Sequence, residues 1–395
     1  MSLPSFFNDL WRVVIDARFF WLPVILFLIF WKIWLYYIRS RFVSKLDWTI
    51  LEIKLPREIM KGPRAMEVIL NVLHQTKDGN LWEKYWKGFL RPWFSLEIVS
   101  IEGGIHFFIY TQRFFRNLVE AQIYAQYPDV EITEVDDYSK MAFIDGFEKE
   151  WGCWGTEFGL TEEDAYPIRT YIDYGLHETL TKEEQKTDPI TSFLEFFGFL
   201  KEGEQVWFQI LIRATKKKWQ DEGKKLVEKL MKEAGVIPKS EKPKEGTMEM
   251  GISKLTPGQT EVIKAIERDV AKLGFDAGIR GIYLARNEKF NPTNIASLVG
   301  VMKQYNAVNL NGFKPVNPTT VDYFLKKKRE TRKKMKILDA FRQRSYFYMP
   351  YDRKAFVLNT EELATIFHFP GRVAETPTFG RIEAKKGEAP TDLPI

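Results

Sequence analysis

Hydrophobic residues run almost without a break from Phe19 to Ile38, and Lys32 is the only charged residue among them. A helix of this length spans about 30 Å, which is close to the hydrocarbon thickness of a bilayer. Aromatic residues stand near both ends of the run, and no small-residue cleavage site of a signal peptide follows it. The pattern therefore predicts a transmembrane anchor rather than a buried core helix. The residues predicted to anchor it are Phe19, Trp21, Leu26, Phe30, Trp31, Trp34 and Tyr37.

The basic residues around this run predict its orientation. Arg39, Arg41 and Lys45 follow the run, whereas the two basic residues that precede it are accompanied by acidic residues. Positively charged flanks tend to stay on the cytoplasmic side of a membrane. We therefore expect residues 1–46 to anchor the protein to the cell membrane by a single pass, with the part that follows in the cytoplasm.

After the anchor, the hydrophobic pattern changes to short segments with strand or helix periodicity. Alternation of apolar and polar positions indicates strands, and apolar residues three and four apart indicate helices. Between residues 47 and 140 the order is strand, helix, strand, strand, helix, strand, which is the order of a ferredoxin-like unit. The strands are predicted at 48–55, 94–101, 105–110 and 130–135. The helices are predicted at 63–73, where Pro63 stands at the first position, and at 115–127.

The same order of elements is predicted a second time between residues 141 and 320. Gln126-Tyr127 of the first unit has a counterpart in Gln304-Tyr305, which supports a duplication. A helical hairpin is predicted as an insertion at about 216–274, with a capping box at Thr256 at the start of its second helix and Gly274 at its end. The predicted fold class is thus α+β, with one transmembrane helix and two tandem ferredoxin-like (βαββαβ) units. In the second unit, strands are predicted at 168–174, 205–214 and 279–285, and helices at 190–200 and from Asn291 onward.

Composition adds few constraints on function. The chain has 395 residues, of which 45% are hydrophobic and 28% are charged, and its formal net charge is +5. That charge is too small to indicate nucleic-acid binding by itself. The single cysteine, Cys153, excludes an internal disulfide and is consistent with a reducing compartment.

The sequence contains no recognisable motif for catalysis or for a cofactor. The nearest match to a phosphate-binding loop, Gly223-Lys224-Lys225, lacks the upstream glycine and the hydroxyl residue of that motif. The four histidines do not have the spacing of metal ligands. We therefore expect no catalytic, cofactor or metal site, and no enzymatic activity.

A strongly basic segment precedes the C-terminal part of the chain, within residues 321–370. A run of like charges on a helix is in most cases a solvated face without a ligand. The alternative is a patch that binds the phosphates of nucleic acid or of anionic lipids. Asn359 is then predicted to cap a short helix over 363–367, and residues 371–395 are predicted to form an extended tail. The residues of the candidate patch are Lys326, Lys327, Lys328, Arg329, Arg332, Lys333, Lys334 and Lys336.

Several short stretches together resemble a known family. They follow a membrane helix and are spread from about Trp48 to the end of the chain. The stretches are Leu51–Arg57, Phe94–Ser100, Val119–Asp129, Gln205–Ile212, Phe369–Gly371, Pro377 and Glu383–Lys386. In this pattern the chain resembles the membrane-proximal N-terminal region of type IV secretion and conjugative-transfer ATPases.

The resemblance implies a scaffold rather than a motor. In that family a nucleotide-binding motor domain follows the tail, and we expect it here to be encoded separately or to follow in a longer protein. The expected partners are the membrane, a motor ATPase, nucleic acid or anionic lipid, and a second copy of the chain. The resemblance places the tail next to the motor, and the residues expected to dock it are Phe367, Phe369, Pro370 and Pro377.

Overall fold

The computed structural model describes residues 16–56, 59, 61–143, 147–177, 187–216, 218–236, 255–322 and 325–371. These residues form two compact units. The first, named the membrane-proximal unit, contains residues 16–47 together with Lys77–Arg91. The second, named the sheet unit, contains Trp48–Thr76 and the described residues from Pro92 onward.

The membrane-proximal unit is built on a helix of 27 residues, α1 (Arg18–Ser44). Among the described residues, α1 is the one helix that is long and apolar enough to cross a membrane, and no residue of its most apolar stretch is buried. Pro23 lies within its second turn, where the missing N–H group disturbs little of the helix. Residues 77–91, named the aromatic segment, contain one short helix, α3 (Leu81–Tyr85).

The sheet unit contains one layer of strands with helices on both faces. All strand pairs are antiparallel, and the path β4-β1-β3-β2-β6-β7-β5-β8 is extended by β11, which also pairs with β7. The strands are β1 (Trp48–Lys54), β2 (Phe94–Ile101), β3 (Gly104–Gln112), β4 (Glu131–Val135), β5 (Trp151–Leu160), β6 (Glu204–Ala214), β7 (Gly274–Arg286), β8 (Phe313–Val316) and β11 (Phe356–Asn359). A separate ribbon consists of β9 (Phe347–Tyr348) and β10 (Tyr351–Asp352).

The helices of the sheet unit divide between the two faces of the sheet. The larger core lies between one face and the helices α2, α4, α6, α9 and α11. The smaller core lies on the other face, where α10 packs over the central strands. A third cluster joins α7 to α8. The helix bounds are α2 (Pro63–Leu73), α4 (Arg116–Gln126), α5 (Phe147–Glu150), α6 (Pro189–Gly198), α7 (Trp219–Glu233), α8 (Pro257–Val270), α9 (Pro292–Gly300), α10 (Lys326–Arg342) and α11 (Thr360–Ile366).

The prediction of two ferredoxin-like units is not confirmed, because one continuous sheet of nine strands runs through both predicted units. The two sets of strands are joined where β2 pairs with β6 over eight residues, from Phe94↔Ile212 to Ile101↔Gln205. Both strands are buried on each face and therefore need cover on both sides, which the shared sheet and its helices supply.

The strand predicted at 168–174 is wrong, and its place in the sheet is taken by β5. Residues 168–177 instead form turns that are held by side chains of α11. The main-chain N–H of Ile168 donates to Glu362 Oε1 at 2.9 Å, and that of Tyr171 donates to Thr365 Oγ1 at 2.9 Å. Ile168 and Tyr171, whose apolar side chains suggested a strand, are buried in the larger core.

Local signals at the helix ends are confirmed. Pro63 stands in the first turn of α2, and Thr256 and Asn359 each form a capping box at the start of α8 and α11. Gly274 was expected to end the second helix of the insertion, but α8 ends at Val270 and Gly274 begins β7. A Cβ atom at Gly274 would overlap the indole of Trp219, so packing requires a glycine there.

Candidate functional site

The aromatic segment owes its shape to local capping. The side chain of Asn80 accepts a hydrogen bond from the N–H of Glu83 at 2.9 Å, and Glu83 Oε2 accepts one from the N–H of Asn80 at 2.8 Å. This capping box begins α3 at Leu81. Gly79 and Gly88, on either side of α3, have positive φ angles of 65° and 70°, which glycine adopts without strain.

The segment packs on the C-terminal half of α1. The indole Nε1 of Trp34 donates a hydrogen bond to the main-chain oxygen of Tyr85 at 2.9 Å. The ring of Trp34 also meets the edge of Trp86, with centroids 5.6 Å apart. Further along α1, Phe42 meets the edge of Phe89 at 5.5 Å. Aromatic pairs of this geometry stabilise by about 0.5–1.5 kcal/mol each beyond their buried area.

A close backbone contact fixes the position of the segment on α1. A Cβ atom at Gly88 would overlap the carbonyl group of Ile38 and approach the nitrogen of Arg39 at 2.9 Å. Only glycine therefore fits between the segment and the helix at this point.

The outer face of the segment is strongly apolar. The side chains of Leu81, Trp82 and Trp86 are 72%, 59% and 52% exposed, and the two indoles stack at 5.2 Å. Large apolar side chains grouped on a surface mark an interaction site. Because they lie beside residues 31–42 of a helix that can span a membrane, they have the position and chemistry of an interfacial aromatic belt.

The predicted anchor residues divide into two groups on α1. Phe19, Leu26 and Phe30 are more than half exposed, as expected of side chains that face lipid. Trp31 and Trp34 are half-buried because they pack against the aromatic segment, with Trp31 5.7 Å from the ring of Tyr85. Trp21 and Tyr37 are 40% and 54% exposed.

A cavity of about 400 Å³ lies between α1 and the aromatic segment. Three basic side chains, Arg41, Lys45 and Lys87, line it. Its aromatic walls include Trp34 and Trp86. A space that joins basic and aromatic side chains at the end of a membrane helix is suited to a ligand with an anionic head and an apolar body.

The predicted basic patch lies on α10, and its residues are not equivalent. Most of them are exposed, but Lys333 and Lys334 are half-buried. Lys333 Nζ donates to the main-chain oxygen of Pro318 at 2.9 Å, so it ties α10 to the segment that precedes it. Lys336 lies 5.6 Å from the ring centre of Tyr351. The exposed members are Lys326, Lys327, Lys328, Arg329, Arg332 and Lys336.

The basic segment ends in a buried ion pair. Arg344, directly after α10, is fully buried and forms two parallel hydrogen bonds with Glu97 of β2, at 3.0 and 3.2 Å. It also pairs with Asp137. Burial alone would raise the pKa of Glu97, but the charge and hydrogen bonds of Arg344 hold that pKa below its usual value. Arg344 is thus a structural residue of the sheet unit.

Glu97 begins a polar row across the centre of the sheet. In register, Glu97 pairs with Gln209, Gln209 with Arg280, and Arg280 with Glu157. All four side chains are at most 2% exposed. Burial lowers the pKa of Arg280, and its Nη2 donates to the main-chain oxygen of Ser345 at 2.6 Å. The row joins the β-strands to the segment that follows α10.

A second buried network surrounds the start of α11. Asp269 of α8 and Glu362 of α11 are 2% exposed and are linked through Asn359, which bonds to both. Burial raises the pKa of Asp269 well above its usual range and that of Glu362 to about 8. The pair therefore keeps its protons to a higher pH than free carboxyl groups do.

Next to this network, a cavity of about 430 Å³ is lined by Glu67, Tyr171 and Lys272. Lys272 Nζ bridges Glu67 and Glu361, at 2.6 and 2.7 Å. Tyr171 also donates a hydrogen bond to Glu67 Oε2 at 2.6 Å, so the charged groups here are paired within the protein, which is the arrangement of a structural network. No group of three or more His, Cys, Asp or Glu side chains in the described ranges is placed to hold a metal ion.

Three of the four residues predicted to dock a partner are buried. Phe367 and Phe369 are fully buried, and both rings meet the edge of Phe107 of β3, at 6.0 and 5.6 Å. Pro370 is also buried. Phe367 and Phe369 are part of the larger core. Pro377 lies outside the described residues.

A comparison with protein-family models matches residues 42–381 to a family described as "Domain of unknown function (DUF8128)". The match covers most of the chain. The chain belongs to the DUF8128 family. No curated protein matches it. The DUF8128 match begins at Phe42, so it includes the sheet unit and the aromatic segment and leaves out most of α1.

Within the DUF8128 region, sequence reasoning missed the aromatic segment as a functional element. The signal was present as a cluster of aromatic residues between two predicted elements of the sheet. The sequence did not reveal that these residues pack on α1, because Trp34 and Tyr85 are 51 residues apart.

Proposed function

We propose that this protein is a membrane-anchored scaffold that holds its sheet unit at the cytoplasmic face of the cell membrane. The observation that carries the proposal is the aromatic segment, which binds the C-terminal half of α1 and presents Trp82 and Trp86 to the surroundings. Burying these indoles in the membrane interface would stabilise the position of α1 along the bilayer normal. The basic residues after α1 support the cytoplasmic orientation.

More specifically, we propose that the protein is a scaffold in a type IV secretion-like or conjugative transfer machine. It is supported by the resemblance of the sequence to the N-terminal region of type IV secretion and conjugative-transfer ATPases. In this role the protein tethers a separate motor ATPase and has no ATPase activity of its own. A saturable heat of ATP binding to the pure protein would contradict this assignment.

The C-terminal residues Glu375–Ile395 are proposed to bind the motor. Phe367, Phe369 and Pro370 belong to the core, so the docking residues lie further along the chain. Deleting Thr376–Ile395 should leave membrane insertion unchanged and abolish co-purification of an ATPase from native cells. Recovery of the same ATPase in the same amount with the deletion protein would rule this docking site out.

The fold is proposed to derive from duplication of a ferredoxin-like unit. Apart from the inserted helices α3, α7 and α8, each half of the sheet contains strand, helix, strand, strand, helix, strand in chain order. The strand order β4-β1-β3-β2 in one half is mirrored by β6-β7-β5-β8 in the other, and the two halves meet at the centre of the sheet where β2 pairs with β6. Superposition of residues 48–135 on residues 151–316 tests this, and strands that match in order but not in direction would contradict it.

A second candidate function is binding of nucleic acid or anionic lipid by the exposed face of α10. The observation in its favour is the exposure of Lys327, Lys328 and Arg332 on one helix. Phosphate binding weakens steeply as salt is raised, because counterions are released. A binding titration of the full chain with single-stranded DNA across a salt series tests this function. Absence of binding at low salt would remove it.

A further inference from the structure

The cavity between α1 and the aromatic segment collects positive charge that has no partner among the residues that the structure describes. Arg41 and Lys45 stand one helical turn apart on α1, and Lys87 faces them from the aromatic segment. In the part of the chain that the structure describes, these three side chains form no ion pair or hydrogen bond. Three like charges around one space repel each other, and this repulsion is relieved by an anion.

The one acidic residue among those that line the cavity offsets only part of the charge of its three basic residues. This residue is Glu83, and its carboxylate accepts the main-chain N–H of Asn80 at 2.8 Å in the capping box. The cavity therefore keeps a net positive charge and has an aromatic wall formed by Trp34, Tyr37 and Trp86.

The position of the cavity along α1 indicates which kind of anion it binds. Arg41 and Lys45 follow Ile38, the last residue of the apolar run, by three and seven residues. At the rise of a helix they stand about 4–11 Å beyond the hydrocarbon layer, which is the depth of the headgroups. Trp34 and Tyr37 lie within the run and reach the boundary between headgroup and acyl chain.

We propose that this cavity binds the phosphate of an anionic phospholipid from the leaflet at the C-terminal end of α1. Arg41, Lys45 and Lys87 contact the phosphate, and the glycerol and acyl chains follow the aromatic wall toward the apolar part of α1. A free phosphate ion would use the same three cations, but it would leave the aromatic wall without a partner. The proposal rests on the membrane anchoring proposed above, and it adds a ligand to it.

The test uses the full chain in nanodiscs that contain phosphatidylglycerol and phosphatidylcholine. After extraction into mild detergent, native mass spectrometry counts the lipids that each chain retains. We expect one phosphatidylglycerol per chain, retained in preference to phosphatidylcholine. The triple variant Arg41→Gln, Lys45→Gln, Lys87→Gln should lower this preference by at least about tenfold.

Two matched variants control for charge and for folding. The variant Lys326→Gln, Lys327→Gln, Lys328→Gln removes the same charge from α10 and should retain the lipid as the unmodified protein does. The variant Arg41→Lys, Lys45→Arg keeps the charge of the cavity and should also retain it. Unchanged lipid preference in the cavity variant, or equal loss in the α10 variant, would overturn the proposal.

Two further measurements are needed. One distinguishes a lipid phosphate from a free phosphate ion, and the other distinguishes a missing lipid site from a missing membrane anchor. Inorganic phosphate, titrated into the detergent-solubilised protein, should not displace the lipid; displacement at millimolar concentration would overturn the assignment to a lipid. Flotation with the same lipids is measured in parallel. A protein that floats without preferring phosphatidylglycerol contradicts the lipid site alone, whereas a protein that does not float contradicts the membrane anchoring itself.

Discussion

The indole of Trp34 on α1 donates a hydrogen bond to the main-chain oxygen of Tyr85, 51 residues further along the chain. This bond ties a helix that can span a membrane to a segment inserted between two elements of the sheet unit. A lone transmembrane helix can slide and tilt in the bilayer. A helix that carries a second apolar element beside its C-terminal half has two points of contact with the interface, and its depth is better defined.

The close approach of Gly88 to Ile38 predicts that Gly88→Ala releases the aromatic segment from α1. Alanine at a positive φ of 70° costs about 1–2 kcal/mol, and its Cβ would in addition overlap the carbonyl group of Ile38. Hydrogen exchange of residues 77–91 in nanodiscs should accelerate by about tenfold or more.

Gly258→Ala is the matched control for this substitution. Gly258 lies in the first turn of α8, and a Cβ atom there meets nothing within 4 Å. This variant should leave exchange of the aromatic segment unchanged. If Gly88→Ala also leaves it unchanged, the segment is not held by the contact with Ile38.

The buried pair of Arg344 and Glu97 predicts a large loss of stability when the arginine is removed. Arg344→Met leaves the carboxylate of Glu97 buried without its cation, which costs about 3–5 kcal/mol. Chemical denaturation of the sheet unit within the full chain measures the loss. Arg342→Met, two residues away at an exposed site, should cost less than about 1 kcal/mol. Equal costs for the two variants would mean that the buried pair is not a stabilising contact.

The pair of Asp269 and Glu362 predicts a dependence of stability on pH. Their pKa values are raised in the folded protein, that of Glu362 to about 8, whereas the unfolded chain loses these protons near pH 4. The stabilisation is therefore complete below about pH 4 and is lost as the pH rises through 8, by about 1.4 kcal/mol per pH unit for each proton.

Asp269→Asn should flatten this dependence, because the amide cannot ionise. Thermal unfolding of both proteins at intervals between pH 5 and pH 9 should give curves that cross, with the variant relatively more stable at the alkaline end. A constant difference between the two proteins across that range would show that burial does not raise the pKa values of Asp269 and Glu362 in the folded protein.

The sequence predicted the elements that depend on local chemistry. The caps at Thr256 and Asn359 and the proline at the start of α2 depend only on residues nearby in the chain, and all were found as expected.

Strand β5 was missed because Gly152, Gly155 and Gly159 weaken its strand pattern. In the fold these glycines lie against Phe290, Ile337 and Val316, respectively. Tertiary packing therefore explains why glycine stands at these positions.

The candidate site was predicted only in part for the same reason. The apolar run of α1 could be read from its length, but its contact with Tyr85 and Gly88 depends on residues far along the chain. The basic segment was predicted as one patch, whereas Arg344 at its end is buried. Composition alone does not distinguish an arginine that pairs with Glu97 inside the protein from a lysine in solvent.

The central claim, that α1 anchors this protein in a membrane, is tested most directly by carbonate extraction followed by flotation. The full chain should stay with the lipid fraction after carbonate and high salt. The protein without Met1–Ser40 should be released into the soluble fraction, whereas the protein without Thr376–Ile395 should remain with the lipid. If the protein without Met1–Ser40 still floats after carbonate treatment, the anchor lies outside α1 and the central claim is contradicted.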